Sequence, residues 1–122
     1  MFDRLLTTQS KVPALLQMGR HLDTVCMLST EHCDWLLTIR HGQVTDIQQG
    51  PLVMPSYSFR ITTGESDWLE FLQPVPAPGR HDIIAMLRRG VMRFEGDLHP
   101  LMSHLMYFKL LLTTLRPGGE TK

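Results

Sequence analysis

The sequence has no surplus of charge of either sign, because 12 Lys and Arg residues balance 12 Asp and Glu residues. A nucleic-acid-binding domain normally carries a clustered basic excess, and the pair Arg88-Arg89 is too short a run to provide one. We therefore expect no nucleic-acid partner. Long hydrophobic runs are missing as well: no apolar stretch approaches the roughly 18–20 residues that cross a bilayer. We expect no integral membrane segment.

Cysteine is scarce, and Cys26 and Cys33 are the two that the chain contains. If residues 30–34 form a hairpin turn, Cys26 faces residues near Leu37 and not Cys33, so we expect no disulfide between them. A chain without disulfides is typical of a reducing compartment. The N-terminal residues also lack the continuous apolar centre of a secretory signal. Together these features predict a cytoplasmic protein.

Recognisable catalytic and metal-binding patterns are absent too. The sequence contains no GxSxG elbow, and Cys26, within a predicted strand, and Cys33, in a polar turn, show no sequence-visible activation as nucleophiles. His99 and His104 are five residues apart on one predicted helix, so their side chains point in different directions and do not form a metal site. We expect no catalytic residue, no metal and no cofactor. Acyl-group hydrolysis stays open as an alternative, because apolar tunnels also serve hydrolases.

The chain has the composition of a folded domain. Its 122 residues, of which 43% are hydrophobic, predict one domain over residues 1–116 and a disordered tail over residues 117–122. At the N-terminus we expect an amphipathic helix over about residues 3–20, interrupted near Pro13. Its inward-facing residues are expected to be Leu5, Leu6, Leu15, Leu16 and Met18.

Period-2 alternation and turn residues predict five strands, over residues 24–30, 35–40, 44–48, 57–62 and 91–95. A helix is expected over residues 66–73, begun by a Thr62–Glu65 capping box or by Gly64 with Asp67. Another is expected over residues 80–89, ended by Gly90 with a positive φ. Along the chain, most of the strands come first, and strands and helices alternate after them. This order predicts an α+β fold with a single five-stranded sheet and helices packed mainly on one face.

The last predicted helix is unusually apolar. It begins near His99-Pro100, and apolar residues recur along it at helical spacing: Leu98, Leu101, Met102, Leu105, Phe108, Leu112 and Leu115. Met106, Leu110 and Leu111 add apolar surface outside that face. A helix that is apolar on more than one side is buried on more than one side. A ligand or a partner chain is therefore a candidate to cover it.

Three connections between the predicted strands and helices are similar to those of the sterol carrier protein 2-like family. The first is ITTGESDWLEF, with Trp68 and Phe71 at the aromatic positions. The second is a helix with Ala85 that stops at Gly90, and the third is VMRFEGDLHPLMSHLM, a short strand, a turn and an apolar helix. The resemblance covers residues 24–115 and is most specific over residues 62–106. The proline-rich loop over residues 73–80 and the lack of a peroxisomal targeting tripeptide depart from the family pattern.

The resemblance implies an apolar tunnel between the sheet and the helices, partly closed by the last helix. It implies a hydrophobic ligand such as a fatty acyl chain, a sterol or an isoprenoid. The flexible methionines and the aromatic residues that fall in the tunnel-forming segments are the candidate ligand-binding residues. They are Trp68, Phe71, Ile83, Met86, Leu87, Met102, Leu105 and Met106. The alternative for each of them is ordinary core packing.

Two functions remain open from the sequence. The first is a non-catalytic carrier that holds a lipid-like molecule. The second is an interaction module, in which the apolar last helix is buried against a second copy or against a partner enzyme. By resemblance, such a module would be an accessory subunit of lipid or isoprenoid-quinone biosynthesis.

Overall fold

One mixed β-sheet organises the chain in the computed structural model, which describes residues 2–50, 52, 55–74, 76 and 82–116. Its five strands are β1 (Thr24–Ser29), β2 (Asp34–Arg40), β3 (Gln43–Gln49), β4 (Phe59–Thr63) and β5 (Met92–Gly96). The strand order is β3-β2-β1-β4-β5. Strand β4 pairs in parallel with β1, and the other pairs are antiparallel. The predicted five-stranded α+β architecture is confirmed, and each predicted strand lies within two residues of the observed one.

The two faces of the sheet differ because successive side chains point to opposite sides of a strand. On one face the side chains are buried in the core: Cys26, Leu28, Trp35, Leu37, Ile39, Val44, Phe59, Ile61 and Met92. The helices pack on this face, as predicted. The opposite face carries polar side chains such as Arg40, Arg93 and Glu95, which are exposed. The helical layer and the core therefore lie on one side of the sheet.

The β2–β3 hairpin closes through His41 and Gly42, with φ of 52° and 77°. Positive φ at both central residues is the signature of a type I′ turn, which suits the twist of a hairpin. The preceding hairpin brings Cys26 opposite Leu37, as the sequence predicts. Both cysteines are free.

The N-terminal segment is not one long helix. It consists of two 3₁₀ turns, Phe2–Arg4 and Gln9–Lys11, and two short helices, α1 (Leu5–Thr8) and α2 (Ala14–Met18). The interruption at Pro13 is confirmed. The prediction that Leu6 and Leu16 face inward is wrong, because they are 44% and 54% exposed. One or two turns of helix bury a narrow stripe of side chains, and here that stripe consists of Leu5, Thr8 and Leu15.

Gln9 pairs with one residue of the edge strand β3. Its Oε1 accepts a hydrogen bond from the backbone N–H of Val44 at 2.8 Å, and its Nε2 donates to the carbonyl of Val44 at 3.0 Å. The carboxamide thus occupies both hydrogen-bonding groups of an edge-strand residue, as a neighbouring strand would.

Two helices connect β4 to β5, namely α3 (Glu65–Phe71) and α4 (Ile83–Arg88). The N-cap of α3 is Gly64, so the proposed capping role of Thr62 is wrong. A more distant carboxylate supplies the cap, since Glu31 Oε1 accepts a hydrogen bond from the Glu65 N–H at 2.7 Å. Residues 80 and 81, where a helix start is predicted, lie outside the described residues. Gly90 follows α4 with φ of 77°, as expected.

The apolar C-terminal segment forms two helices, α5 (His99–Ser103) and α6 (Leu105–Thr113). The prediction of one continuous helix is wrong. His104 lies between them with φ of −125° and ψ of 37°, outside the helical region. Pro100 lies in the first turn of α5, as predicted, where its missing N–H costs nothing. Residues 117–122, where a disordered tail is predicted, lie outside the described residues.

Candidate functional site

The space between the sheet and the helices is filled by aromatic and aliphatic side chains. Trp68 is one of these side chains and is fully buried. Its ring contacts Phe2 at a centroid distance of 4.8 Å and Phe71 at 5.9 Å, both edge to face. Its indole Nε1 donates a hydrogen bond to the carbonyl of Ser29 at 3.2 Å. Trp68 therefore makes a hydrogen bond to β1 and packs its ring against Phe2 and Phe71.

Trp35 packs at the edge of the same cluster, 5.1 Å from the ring of Phe2. Its indole Nε1 is buried and has no hydrogen-bond acceptor within the part of the chain that the structure describes. A buried donor without an acceptor costs free energy, so such groups are uncommon in folded proteins. This N–H is a buried polar group without a partner among the aromatic rings.

An open cleft reaches this core between α3, α4 and α6. It has a volume of about 240 Å³ and is lined by Phe71, Asp82, Ile83, Lys109 and Thr113. Phe71 and Ile83 are core residues with 1% and 0% of their surface exposed, so the floor of the cleft is the core itself. The polar residues lie around the opening.

Charged groups cross the mouth of the cleft. Lys109 Nζ on α6 lies 3.3 Å from Asp82 Oδ2, at the start of α4. Arg116 stacks over the ring of Phe71 at 4.5 Å, and its Nε donates to the Phe71 carbonyl at 2.8 Å. Burial lowers the pKa of Arg116 from its usual value, and the negative charge of Asp82 acts in the opposite direction. The mouth is therefore polar where the floor is apolar.

The structure places four of the eight candidate residues in one buried cluster, packs Leu105 against it and leaves Met102 and Met106 exposed. Trp68, Phe71, Ile83 and Met86 belong to the continuous buried cluster. Leu87 and Leu105 are half-buried. Met102 and Met106 are 45% and 58% exposed. The interruption at His104 separates α5 from α6, and the buried residues on these helices are Leu101, Tyr107, Phe108, Leu111 and Leu112.

Tyr107 is a core residue that the apolar pattern of the sequence does not reveal. Its hydroxyl donates to the carbonyl of Gly42 at 2.7 Å, and burial raises its pKa well above the usual range. A Cβ at Gly19 would lie 2.8 Å from both the Gly42 Cα and the Tyr107 ring. Phe2, Asp82, Lys109 and Arg116 are missed as well. For Tyr107, the signal in the sequence was a tyrosine within an apolar helix, because a buried hydroxyl needs a hydrogen-bond acceptor.

The described residues offer little for covalent or metal chemistry. Burial raises the pKa of the Cys26 thiol to about 12, so the thiol is protonated at neutral pH. No group of three or more His, Cys, Asp or Glu side chains among these residues is placed to hold a metal ion. None of the helices in the described ranges has the length and apolar character needed to cross a bilayer.

Solved structures share this fold. Over 94% of this chain and 92% of the other, the structure superimposes on sterol carrier protein 2 with a TM-score of 0.75 at 15% identity. A ubiquinone synthesis protein, UbiJ-SCP2, matches over 93% of this chain and 85% of its own with a TM-score of 0.62 at 18% identity. Sterol carrier protein 2 like 2 from Aedes aegypti matches over 85% and 88% with a TM-score of 0.55 at 20% identity.

No family model matches the sequence, and no curated protein sequence matches it. The chain nonetheless has the sterol carrier protein 2 fold, as the resemblance implied. At these identities the likeness establishes the arrangement of the sheet and the helices.

Proposed function

We propose that this chain binds a lipid-like molecule between the helices and the sheet and carries it without changing it. The observation that carries the proposal is the cleft over the core. It places the fully buried Phe71 and Ile83 in the floor of an opening to solvent. The sterol carrier protein 2 fold supports the same function, since that protein is described as a sterol carrier.

The ligand would insert by separating α4 and α6 from the core below them. The cleft is smaller than the roughly 300–1,000 Å³ typical of small-molecule pockets, so a long chain needs additional space. Trp68, Phe71, Ile83 and Met86 are the residues that we propose to contact it, with the half-buried Leu87 and Leu105 beside them. The unpaired indole N–H of Trp35 offers a donor to a polar group that reaches the same space.

Removal of apolar surface from water supplies the binding free energy. Each Å² of apolar surface that the ligand buries contributes about 25 cal/mol, so an acyl, sterol or isoprenoid body binds with few polar contacts. The proposal includes no catalytic step. Free cysteines support a reducing cytoplasm as the place of action.

Uptake of a pyrene-labelled fatty acid, followed by fluorescence, tests the proposal. Native mass spectrometry of the purified protein would in parallel detect a retained lipid. Thr113→Trp should block the cleft and abolish uptake while the circular dichroism melt stays near that of the wild type. Thr45→Trp is the matched control, because Thr45 is exposed on β3, away from the cleft. A folded Thr113→Trp protein that binds the probe normally would disprove the cleft as the binding site.

A second candidate function is an interaction module, and one observation favours it. Met102 and Met106 expose large apolar side chains on α5 and α6. A protein of the same fold is described as a ubiquinone synthesis protein, so an accessory role beside an enzyme of isoprenoid-quinone synthesis is one form of this hypothesis. Sedimentation velocity of the wild type and of the Met102→Gln, Met106→Gln double variant tests self-association. A dimer that dissociates in the variant supports the module, and a monomer in both proteins argues against self-association through this surface.

A further inference from the structure

Strand β5 forms one edge of the sheet. In the order β3-β2-β1-β4-β5 it pairs with β4 on one side, and no strand of the described part of the chain pairs with its other side. An edge strand turns backbone N–H and C=O groups outward, and these groups can pair with the edge of another sheet. The outer side of β5 is therefore a place where a further strand can be added.

The two edges of the sheet carry different side chains. At β3 the carboxamide of Gln9 bonds to both backbone groups of Val44. On β5 the exposed charged side chains are Arg93 and Glu95, one of each sign. Two charges of the same sign would repel a second copy of the strand, because like charges directly opposite each other are unfavourable. Two charges of opposite sign permit self-pairing in a suitable register.

Arg93 and Glu95 lie on the same face of the sheet, because they are two residues apart on one strand. Within the described ranges neither of them has an ion-pair partner. Arg60 lies directly opposite Glu95 on β4. Its guanidinium instead donates to Ser29 Oγ at 3.0 Å and to Asp34 Oδ1 at 3.5 Å. Both charges of β5 thus remain available to a second molecule.

A second copy of β5 complements these charges when the register is centred on Phe94. Two identical antiparallel strands keep their core faces on the same side of the joined sheet when the two-fold axis passes through a residue position. An axis at Phe94 places Arg93 opposite Glu95 of the second copy, and the reverse pair follows by symmetry. An axis at Arg93 or at Glu95 would place like charges opposite each other. The charges therefore favour the register centred on Phe94.

Phe94 supplies apolar surface at the same position. It packs against the core but is half-buried, whereas Met92, two residues earlier on the same face, is 1% exposed. With the axis at Phe94, the two Phe94 side chains lie opposite each other across the axis. Aromatic pairs across neighbouring strands stabilise a sheet, so the self-pairing would also cover apolar surface that a single copy leaves exposed.

We propose that β5 is a self-association surface and that its partner is a second copy of this chain. The two β5 strands pair antiparallel about Phe94, join two five-stranded sheets into one, and form an Arg93–Glu95 ion pair on each side of the axis. The strand has five residues, so the interface is small and we expect the dimer to dissociate on dilution. This surface is separate from the cleft and from Met102 and Met106, so the inference does not depend on the proposed function.

Exchange of the charges tests both the surface and the register. Sedimentation velocity from micromolar to sub-millimolar protein measures the dimer. Arg93→Glu and Glu95→Arg, made separately, each place like charges opposite one another at two symmetric positions. Each should weaken the dimer by about ten-fold or more. Arg40→Glu is the control, because it makes the same charge change at an exposed residue of β2 and should leave the dimer intact.

Mixing the two single variants is the decisive experiment. In a mixed dimer of Arg93→Glu with Glu95→Arg, every pair across the axis is again of opposite sign, so the equimolar mixture should recover the dimer that neither variant forms alone. The double variant that carries both changes should self-associate like the wild type. A mixture that stays monomeric while both variants are folded would overturn the proposal.

Salt provides a second measurement that needs no variant. A dimer held by the charges of β5 should weaken as sodium chloride is added, whereas an apolar contact through Met102 and Met106 would not. A wild-type protein that is monomeric at every concentration contradicts the proposal, and so does a dimer that Arg93→Glu leaves unchanged. Circular dichroism melts establish that each variant is folded. If Glu95→Arg does not fold, the comparison of Arg93→Glu with its control and the salt series decide the question.

Discussion

The hydroxyl of Tyr107 on α6 donates a buried hydrogen bond to the carbonyl of Gly42, at a distance of 2.7 Å and a separation of 65 residues in the chain. Gly42 is the second central residue of the β2–β3 turn, and its own N–H donates to the carbonyl of Leu22 at 3.1 Å. One polar contact thus joins the last helix to the tip of the β2–β3 hairpin. The absence of a side chain at Gly19 allows this approach.

Tyr107→Phe should destabilise the protein by about 1–3 kcal/mol, because it leaves a buried carbonyl without its donor. The ring and its packing stay in place, so the loss of stability measures the contribution of the hydrogen bond. Urea denaturation followed by circular dichroism measures it. Tyr57→Phe is the matched control, since Tyr57 is 37% exposed. Equal unfolding midpoints for the two variants would show that the hydrogen bond to Gly42 does not contribute to stability.

Gly90→Ala should lower the free energy of unfolding by on the order of 1 kcal/mol, through the backbone conformation alone. Gly90 has φ of 77°, and within the described part of the chain no atom beyond its own chain neighbours lies within 4 Å of the position that a Cβ would take. Steric contact therefore does not contribute, and the cost is that of placing an L-residue in the left-handed region. Gly90→Asn should lose less stability, because asparagine tolerates this region better. Thermal melts of the two variants measure the difference, and a larger loss for asparagine would contradict this explanation.

Glu31→Gln should weaken the dependence of stability on pH. The Glu65 backbone N–H, as donor to the carboxylate, is the main cause that holds the pKa of Glu31 below its usual value. A carboxyl whose pKa is depressed in the folded state stabilises the protein above its unfolded pKa, and this contribution is lost as the pH falls through the folded value. Urea midpoints at acidic and neutral pH, compared between wild type and variant, measure the effect.

Glu70→Gln is the control for Glu31, because it removes an exposed carboxylate from α3 itself. It should leave the pH dependence close to that of the wild type. Identical pH profiles for Glu31→Gln and Glu70→Gln would mean that the carboxylate of Glu31 does not stabilise the start of α3.

Leu111→Ala and Met106→Ala should differ strongly in stability, although both truncate large apolar residues of α6. Leu111 is 1% exposed and Met106 is 58% exposed. A buried leucine truncated to alanine costs about 2–5 kcal/mol, whereas an exposed substitution usually stays within about 0.5 kcal/mol. Chemical denaturation of the two variants gives both values. A comparable loss for Met106→Ala would indicate that a partner or a ligand covers this residue in solution.

The sequence by itself determined the local features of this protein. Alternation predicted the strands over residues 44–48 and 57–62, since a strand with one buried face repeats every two residues. Turn residues helped to mark the bounds of the other three. Glycine at residue 90 predicted a left-handed helix stop because a side chain there is strained. The position of a polar turn was enough to place Cys26 opposite Leu37. Each of these features depends on residues that are near one another in the chain.

Only the tertiary structure decided which distant residues meet. The pairing of β4 with β1, the carboxamide of Gln9 on the edge at Val44, and the ion pair of Asp82 with Lys109 are contacts between separate segments. The break at His104 turned the apolar stripe so that Leu101 and Leu111 are buried while Met102 and Met106 are exposed. Helical periodicity identifies a stripe of apolar residues, but the elements that pack against the helix decide which part of the stripe is covered.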